Sequence, residues 1–410
     1  MSTRRLHRAR RAIALLCAAF SVLGCGRVVE VLGPGAPGGD ASAADASLTD
    51  SSPPDSGTNA PRVQVDAGRA HTCAVIDGAL YCWGANDSGQ LGLADQNARS
   101  VATQVGVDRD WAEVVAADSH SCARRLDGSV WCFGANDRGQ LGVSGGATAT
   151  PTHVALPAPA TALSSEYEFT CAILGGRLYC WGENDEGQLA QNDSYPGVDQ
   201  FAPVPVGTFA DWSAVSVGQG HACGIRAPGT LWCWGRNTDG ELAQGAGAAE
   251  QIRSPVQVGS ESDFVSVGAG QSGTCAIRRG GALFCAGANT EGSLGTGDTN
   301  PRDTLTAIGG GGDQSVSIDQ FHACAIDGVG SLSCWGRNIE GQLGVGDLTD
   351  RSTPAPVAGG PFQGVSVGRF FTCAVDTGGT ISCTGANDAG GLGVGDAIRR
   401  SSLTPIVPPS

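Results

Sequence analysis

Fourteen of the 16 cysteines in this chain fall into seven pairs whose members stand nine or ten residues apart. Thiols at such spacing can form a disulfide, ligate a metal or remain free as small apolar side chains. Zinc is the poorest fit, because no Cys-x-x-Cys occurs and one pair supplies only two ligands. Four histidines, His71, His120, His221 and His322, each stand two residues before the first cysteine of a pair. In a ring they could converge on a metal, but the equivalent places hold Phe169, Gly273 and Phe371. A structural role is expected, hydrogen-bonding backbone between repeated units, with no metal and no cofactor. Gly364-Val365-Ser366-Val367-Gly368 fits the Gly-x-Ser-x-Gly of hydrolase nucleophiles. Val-Ser-Val-Gly also occurs at Val215 and Val265, so it reads as a repeated strand and no catalytic residue is assigned. The absence of lysine excludes a phosphate-binding Gly-x-x-x-x-Gly-Lys loop, and neither His-Glu-x-x-His nor an EF-hand loop is present.

The elements that must position these residues follow from the loops between the cysteines. Where the spacing is nine, the midpoint is Asp77-Gly78 or Gly175-Gly176, two-residue loops suited to a type I′ hairpin turn. Where it is ten, a three-residue loop ends in Gly128, Gly229, Gly281, Gly330 or Gly379, the place that needs a left-handed backbone. Both lengths set the cysteines opposite each other, within reach of a disulfide. The expected bridges are Cys73–Cys82, Cys122–Cys132, Cys171–Cys180, Cys223–Cys233, Cys275–Cys285, Cys324–Cys334 and Cys373–Cys383. Each closes a loop of about ten residues, worth roughly 2 to 3 kcal/mol by chain entropy. Aromatics flank the second cysteine, as at Tyr81 and Trp83 or Trp232 and Trp234, and so occupy the face opposite the sulfur. Stacked sheets would bury both faces, which favours core packing over carbohydrate or base stacking.

The first cysteines recur every 49 or 52 residues, the range of propellers and other arrays. With strands like Val215–Val217 before the hairpin and Ser254–Val258 after it, each unit has about four short strands. The expected fold is all-β, a seven-bladed β-propeller over residues 61–410 with one hairpin disulfide per blade. The first copy starts at Val63 without a proline-containing strand, and the chain ends with a spare one at Thr404-Pro405-Ile406-Val407. Closure is therefore expected by N- and C-terminal strands sharing one blade.

Residues 1–24 hold Arg4, Arg5, Arg8, Arg10 and Arg11, then an apolar run from Ala12 to Gly24, the layout of an export signal. Val22-Leu23-Gly24-Cys25 resembles a bacterial lipobox, which implies a mature chain lipidated at Cys25, with a plain secretory peptide as the alternative. Residues 26–60 lack aromatics and are rich in Gly, Pro, Ala, Ser and Asp, a flexible tether with a reach of roughly 30 to 35 Å. Removing the signal leaves 20 arginines against 40 acids, a net charge of about −20. Nucleic acid is excluded as a main partner, since it needs clustered positive charge.

His-Thr-Cys-Ala-Val, Tyr-Cys-Trp-Gly-Ala-Asn and Gly-Gln-Leu-Gly together resemble the regulator of chromosome condensation repeat family of seven-bladed propellers. The asparagine of the repeat recurs at Asn86, Asn136, Asn184, Asn237, Asn289, Asn338 and Asn387. Departures are Ala286 and Thr384 in place of an aromatic, and Ala190 and Ala243 in place of the last glycine, which imply locally weaker packing. The family's namesake is a nucleotide exchange factor that binds chromatin, but its inserted wedge has no room in this even spacing. A secreted β-lactamase-inhibitor propeller of the same family is the nearer functional analogy.

Variable residues just before the histidine position are Arg69, Asp118, Tyr167, Glu168, Gln219, Gln271, Phe321, Arg369 and Phe370. By symmetry they ring one end of the propeller, where loops carry function. The expectation is a non-catalytic, lipid-anchored envelope protein that binds an unidentified protein partner through this face. The alternatives are an enzyme acting on cell-wall or extracellular glycan, which a cluster of converging acids would favour, an enzyme inhibitor, and a structural envelope protein.

Overall fold

The computed structural model describes residues 62–191 and 197–408, so the expected leader, the lipidation site Cys25 and the tether lie outside the described residues. Seven four-stranded antiparallel sheets span residues 63–104, 111–154, 162–205, 212–257, 264–307, 313–356 and 362–405, blades 1 to 7 in chain order. Each follows the order first-second-third-fourth strand. In blade 1 these are Val63–Ala67, His71–Ile76, Ala79–Gly84 and Arg99–Gln104. First strands touch first strands around the ring, blade 7 meeting blade 1, while fourth strands such as Gln200–Pro205 are largely exposed and form the rim. The prolines of the fourth strands, Pro151, Pro203, Pro205, Pro255, Pro354, Pro356 and Pro405, thus sit on edges, where a missing N–H leaves no gap in a ladder.

The hairpins form as their loops require. Asp77 and Gly78 have φ of 48° and 79°, Gly175 and Gly176 of 55° and 82°. All seven cysteine pairs are in direct register with Cα atoms 4.1 Å apart, and all seven are disulfide-bonded. Such a set of bridges belongs to an oxidising extracellular or envelope environment. Each disulfide packs on the aromatic face of the next blade: Cys73 and Cys82 on Trp111 and Phe133, Cys122 and Cys132 on Trp181, Cys275 and Cys285 on Trp335. Trp181, Trp234 and Trp335 donate Nε1–H to loop carbonyls of the preceding blade at Gln140, Gln188 and Ser293. Thr384, lacking an indole, sends its hydroxyl to the Gly341 carbonyl at 2.8 Å.

Ring closure differs from the expectation. Thr404-Pro405 pairs within blade 7, and blade 1 takes its outer strand from Arg99–Gln104. The reason is local: the loop organised by each repeat asparagine returns the chain beside its own third strand, so each unit completes its own sheet. Asn86 accepts from the Leu91 amide and donates to the carbonyls of Asp95 and Asn97, folding the loop back. The seam between blades 7 and 1 therefore exchanges no strand and is joined by side-chain bonds together with the backbone bonds of Arg369 to Gly68 and of Gly395 to Ser100. Asp66 Oδ1 accepts from the Ser366 hydroxyl at 2.7 Å, while Oδ2 accepts from the Ala116 amide of blade 2 at 2.7 Å. Ser366 in turn accepts from the Ala67 amide at 2.9 Å. Ser164, Ser216 and Ser317 make the same stitch to Val217, Ala269 and Val367. The serine of the apparent hydrolase pattern is thus fully buried and joins strands. The Val-Ser-Val-Gly at Val265 lies two residues out of phase, since Gly268, not Ser266, stands opposite Cys275.

Candidate functional site

The turns between first and second strands form a ring at the end of the propeller away from the hairpins. Each is closed by a backbone bond such as Gly68 N–H to His71 O, 2.9 Å. Several turns also bond to their neighbour: the amides of Arg69, Gln219 and Arg369 reach the carbonyls of Ala117, Gly270 and Gly68. A Cβ on Gly68 or Gly218 would collide with the neighbouring turn's carbonyl oxygen, so glycine is required at these two places.

Beneath the ring lie the four histidines, all fully buried. Their Nε2 atoms meet hydroxyls of the next blade: His71 with Ser121 at 2.8 Å, His120 with Thr170 at 3.0 Å, His221 with Thr274 at 2.9 Å and His322 with Thr372 at 2.8 Å. Ser121 and Thr372 donate onward to the carbonyls of Gln90 and Gln342, so His71 and His322 are the donors to these hydroxyls, while His120 Nε2 also meets Ser165 Oγ at 2.7 Å. Burial lowers the pKa of His71, His120 and His221 to about 3, and these rings stay neutral. The histidines tie blades together, with a hydroxyl relaying the bond to the loop backbone.

The candidate residues fall into three groups around the ring. In blades 1 and 2, Arg69 is exposed and its Nη1 lies 3.2 Å from Asp118 Oδ2. Burial raises the Asp118 pKa, Arg69 opposes that rise, and Asp319 and Arg369 also act on it across the mouth. In blades 2 and 3, Arg138 stands among Glu168 (3.5 Å), Glu183 (3.9 Å), Asp185 (3.3 Å) and Asp199 (3.2 Å). Glu183 is pushed up to about 7, first by burial and then by Glu168 and Asp185. Tyr167, beside this group, holds a left-handed backbone with φ 50°. In blades 6 and 7, Phe321 and Phe370 stack with centroids 5.2 Å apart at 15°. Arg337 lies over both, 4.9 and 5.4 Å from their centroids, and Arg369 lies 5.4 Å from Phe370.

Two expected residues do less than their position suggests. The Gln271 side chain is buried, and its carbonyl accepts from Arg236 Nη2 at 2.6 Å. Gln219 is half-buried beside the same arginine, which is also held by the buried Glu241 at 2.7 Å. Sequence reading missed Arg138, Glu183, Arg236 and Arg337. The signal was in the middle place of Gly-x-Asn: alanine at Ala85, Ala135, Ala288 and Ala386, but charged at Glu183, Arg236 and Arg337. That place adjoins the turn, since the Arg337 amide bonds to the Phe321 carbonyl and the Glu183 amide to that of Glu168.

Comparison with known proteins agrees with this architecture. The description "RCC1-like domain" matches residues 107–408, and "Regulator of chromosome condensation (RCC1) repeat" matches residues 77–124 and 63–90. Protein RCC2 of Homo sapiens is 35% identical over 80 residues, 19% of this chain and 15% of that relative. Among solved structures, Prp20p from Saccharomyces cerevisiae, described with its binding to Gsp1p and histones, superposes with a TM-score of 0.72 at 18% identity over 80% of this chain and 85% of that one. Human WBSCR16 gives 0.72 at 18% identity, covering 80% and 94%. At such identity these likenesses establish the fold alone.

Proposed function

Because this chain belongs to the regulator of chromosome condensation (RCC1) repeat family, we propose that it is a non-catalytic, exported binding protein whose ring of first-to-second-strand turns engages another protein. The observation that carries this reading is the set of aromatic and charged side chains by which the turn ring departs from the repeat. Turns that hold Ala70, Ser119, Gly220 or Ser272 in other blades hold Glu168, Phe321 and Phe370 in blades 3, 6 and 7, on a ring braced by buried histidines. Half-buried aromatics and arginines on a rigid loop face are the usual anchors of interfaces. Residue 62 joins the propeller beside the opposite end, its amide 3.1 Å from Asp77 Oδ1 in the blade 1 hairpin. A lipid anchor at Cys25, which we include in the proposal, would hold the hairpin end towards a membrane and leave the turn ring facing away.

A second reading, an enzyme acting on glycan, draws on the acids around Arg138, where burial and like charge push Glu183 up to about 7 within a group of carboxylates, as for a general acid. The guanidinium of Arg138 favours binding instead, because it engages the carboxylates that an acid and base pair would need free, at 3.2 to 3.9 Å. The discriminating experiment is affinity capture from envelope and culture extracts with the oxidised protein and its Tyr167→Ala, Phe321→Ala, Phe370→Ala variant. A protein retained by the native bait and lost from the variant is expected. Equal retention by both would overturn the choice of face.

A further inference from the structure

The turn ring is divided by charge, and the two halves differ in what they leave unsatisfied. In blades 2 and 3 the acids already surround Arg138, and Asp118 already meets Arg69. In blades 6 and 7 Arg337, Arg369 and Arg399 outnumber Asp319 and Glu340, and Glu340 is taken up by Arg399 at 3.5 Å. Arg337 has no carboxylate partner among the described residues, although the chain carries 40 acids against 25 basic residues. Its guanidinium is held over two stacked phenylalanines, and Arg369 beside them has an Nε with no hydrogen-bond partner among the described residues. Exposed Ile339 lies two residues beyond Arg337, and Arg399 of blade 7 reaches back to its carbonyl at 3.2 Å.

We propose that Phe321, Phe370, Arg337 and Arg369 form the docking site for an acidic, apolar polypeptide segment of a partner protein, one that sets a carboxylate beside an aromatic or aliphatic side chain. This rests on the reading of the turn ring as a binding face and names the chemistry of what binds there. Charge complementarity decides the occupant. A guanidinium over aromatic rings is weakly hydrated, presents a planar fork and pairs readily with a carboxylate. The stacked rings offer the apolar contact that shields such a pair from water. The acids of blades 2 and 3 repel the same segment, which confines it to one side of the mouth and fixes its orientation.

The test is selection of a random 12-residue peptide library on the oxidised protein, followed by affinity measurement of enriched peptides on three variants: Arg337→Glu, Arg337→Lys, and Glu168→Gln with Asp185→Asn. Thermal unfolding and a count of intact disulfides establish that each variant is folded. Enriched peptides should pair Asp or Glu with Phe, Trp, Leu or Ile. They should lose at least tenfold in affinity on Arg337→Glu, lose less on Arg337→Lys, and weaken in high salt. Basic peptides lost only on the Glu168→Gln, Asp185→Asn variant would overturn this inference while leaving the turn ring as the binding face. Peptides indifferent to all three variants, or no enrichment over a reduced and unfolded control, would count against both. Concentration-dependent dimers of the protein abolished by Arg337→Glu would replace the separate partner with a second copy.

Discussion

Glu183 shows how a single residue departs from the alanine of its repeat at a cost to the fold. Its folded pKa of about 7 lies above the ordinary glutamate value of 4.5. Between those values the folded state holds a proton that the unfolded chain has released, so stability falls as pH rises from about 4.5 to 7 and is level above that. Glu183→Gln should remove this slope and stabilise the protein at pH 7.5 by at most about 3 kcal/mol, with little effect at pH 4.5. Thermal unfolding of both proteins across that range measures it, and parallel curves would show the shift to be absent. The opposite sign applies to Asp298, held down to about 2, with the hydrogen bond to Arg302 as the largest cause, and its contribution is lost as pH falls through that value. Single residues were the least legible part of the sequence. Arg337 and Glu183 vary in a place that reads as repeat background, and their meaning depends on a turn some 15 residues earlier in the chain. The disulfides were legible because both partners and the turn between them are local. The histidines were half legible: their structural role followed from the copies that lack one, but the hydroxyl that each ring meets stands 50 or 53 residues away in the next blade.

The blade is the element that the sequence describes best, because its hairpin and its loop are each fixed by neighbouring residues. What sequence reading placed wrongly was the phase, since a four-strand repeat looks the same whichever strand is counted first. The asparagine loop decides the matter. Asn289 is fully buried, accepts from the Leu294 amide at 2.9 Å and donates to Thr296 Oγ1 and to the carbonyls of Asp298 and Asn300. Asn289→Ala strands these groups and should cost about 2 to 4 kcal/mol. Because contacts in such arrays run mainly between neighbours, hydrogen exchange should rise over residues 289–302 and in the facing strand of blade 6, while the hairpins of blades 1 to 3 stay protected. A uniform rise across all seven blades would show that the loop has no such local role. Ala190 and Ala243 keep the left-handed backbone of the glycines they replace, with φ of 55° and 53°, so the loop tolerates a methyl there without changing its path.

At the scale of the molecule, Asp66 and Ser366 close the ring with the same kind of side-chain to backbone stitch that joins most other blades. The described chain enters beside the blade 1 hairpin, and its last strand ends beside the start of the third strand of blade 7, where the Ile406 amide bonds to the Ile381 carbonyl at 3.0 Å. Both ends therefore lie at the hairpin end. A circular permutant of residues 62–408, joined by a linker of about ten Gly and Ser residues and opened between Ile308 and Asp313, should fold with all seven disulfides. Its melting temperature should fall within a few degrees of the parent, by calorimetry. Loss of folding would show that the seam depends on free ends. A ring sealed between whole sheets has no privileged starting point. Duplicating or deleting one repeat in the gene would add or remove a complete blade without cutting any sheet, so the number seven is set by how steeply neighbouring blades splay apart and not by where the polypeptide begins.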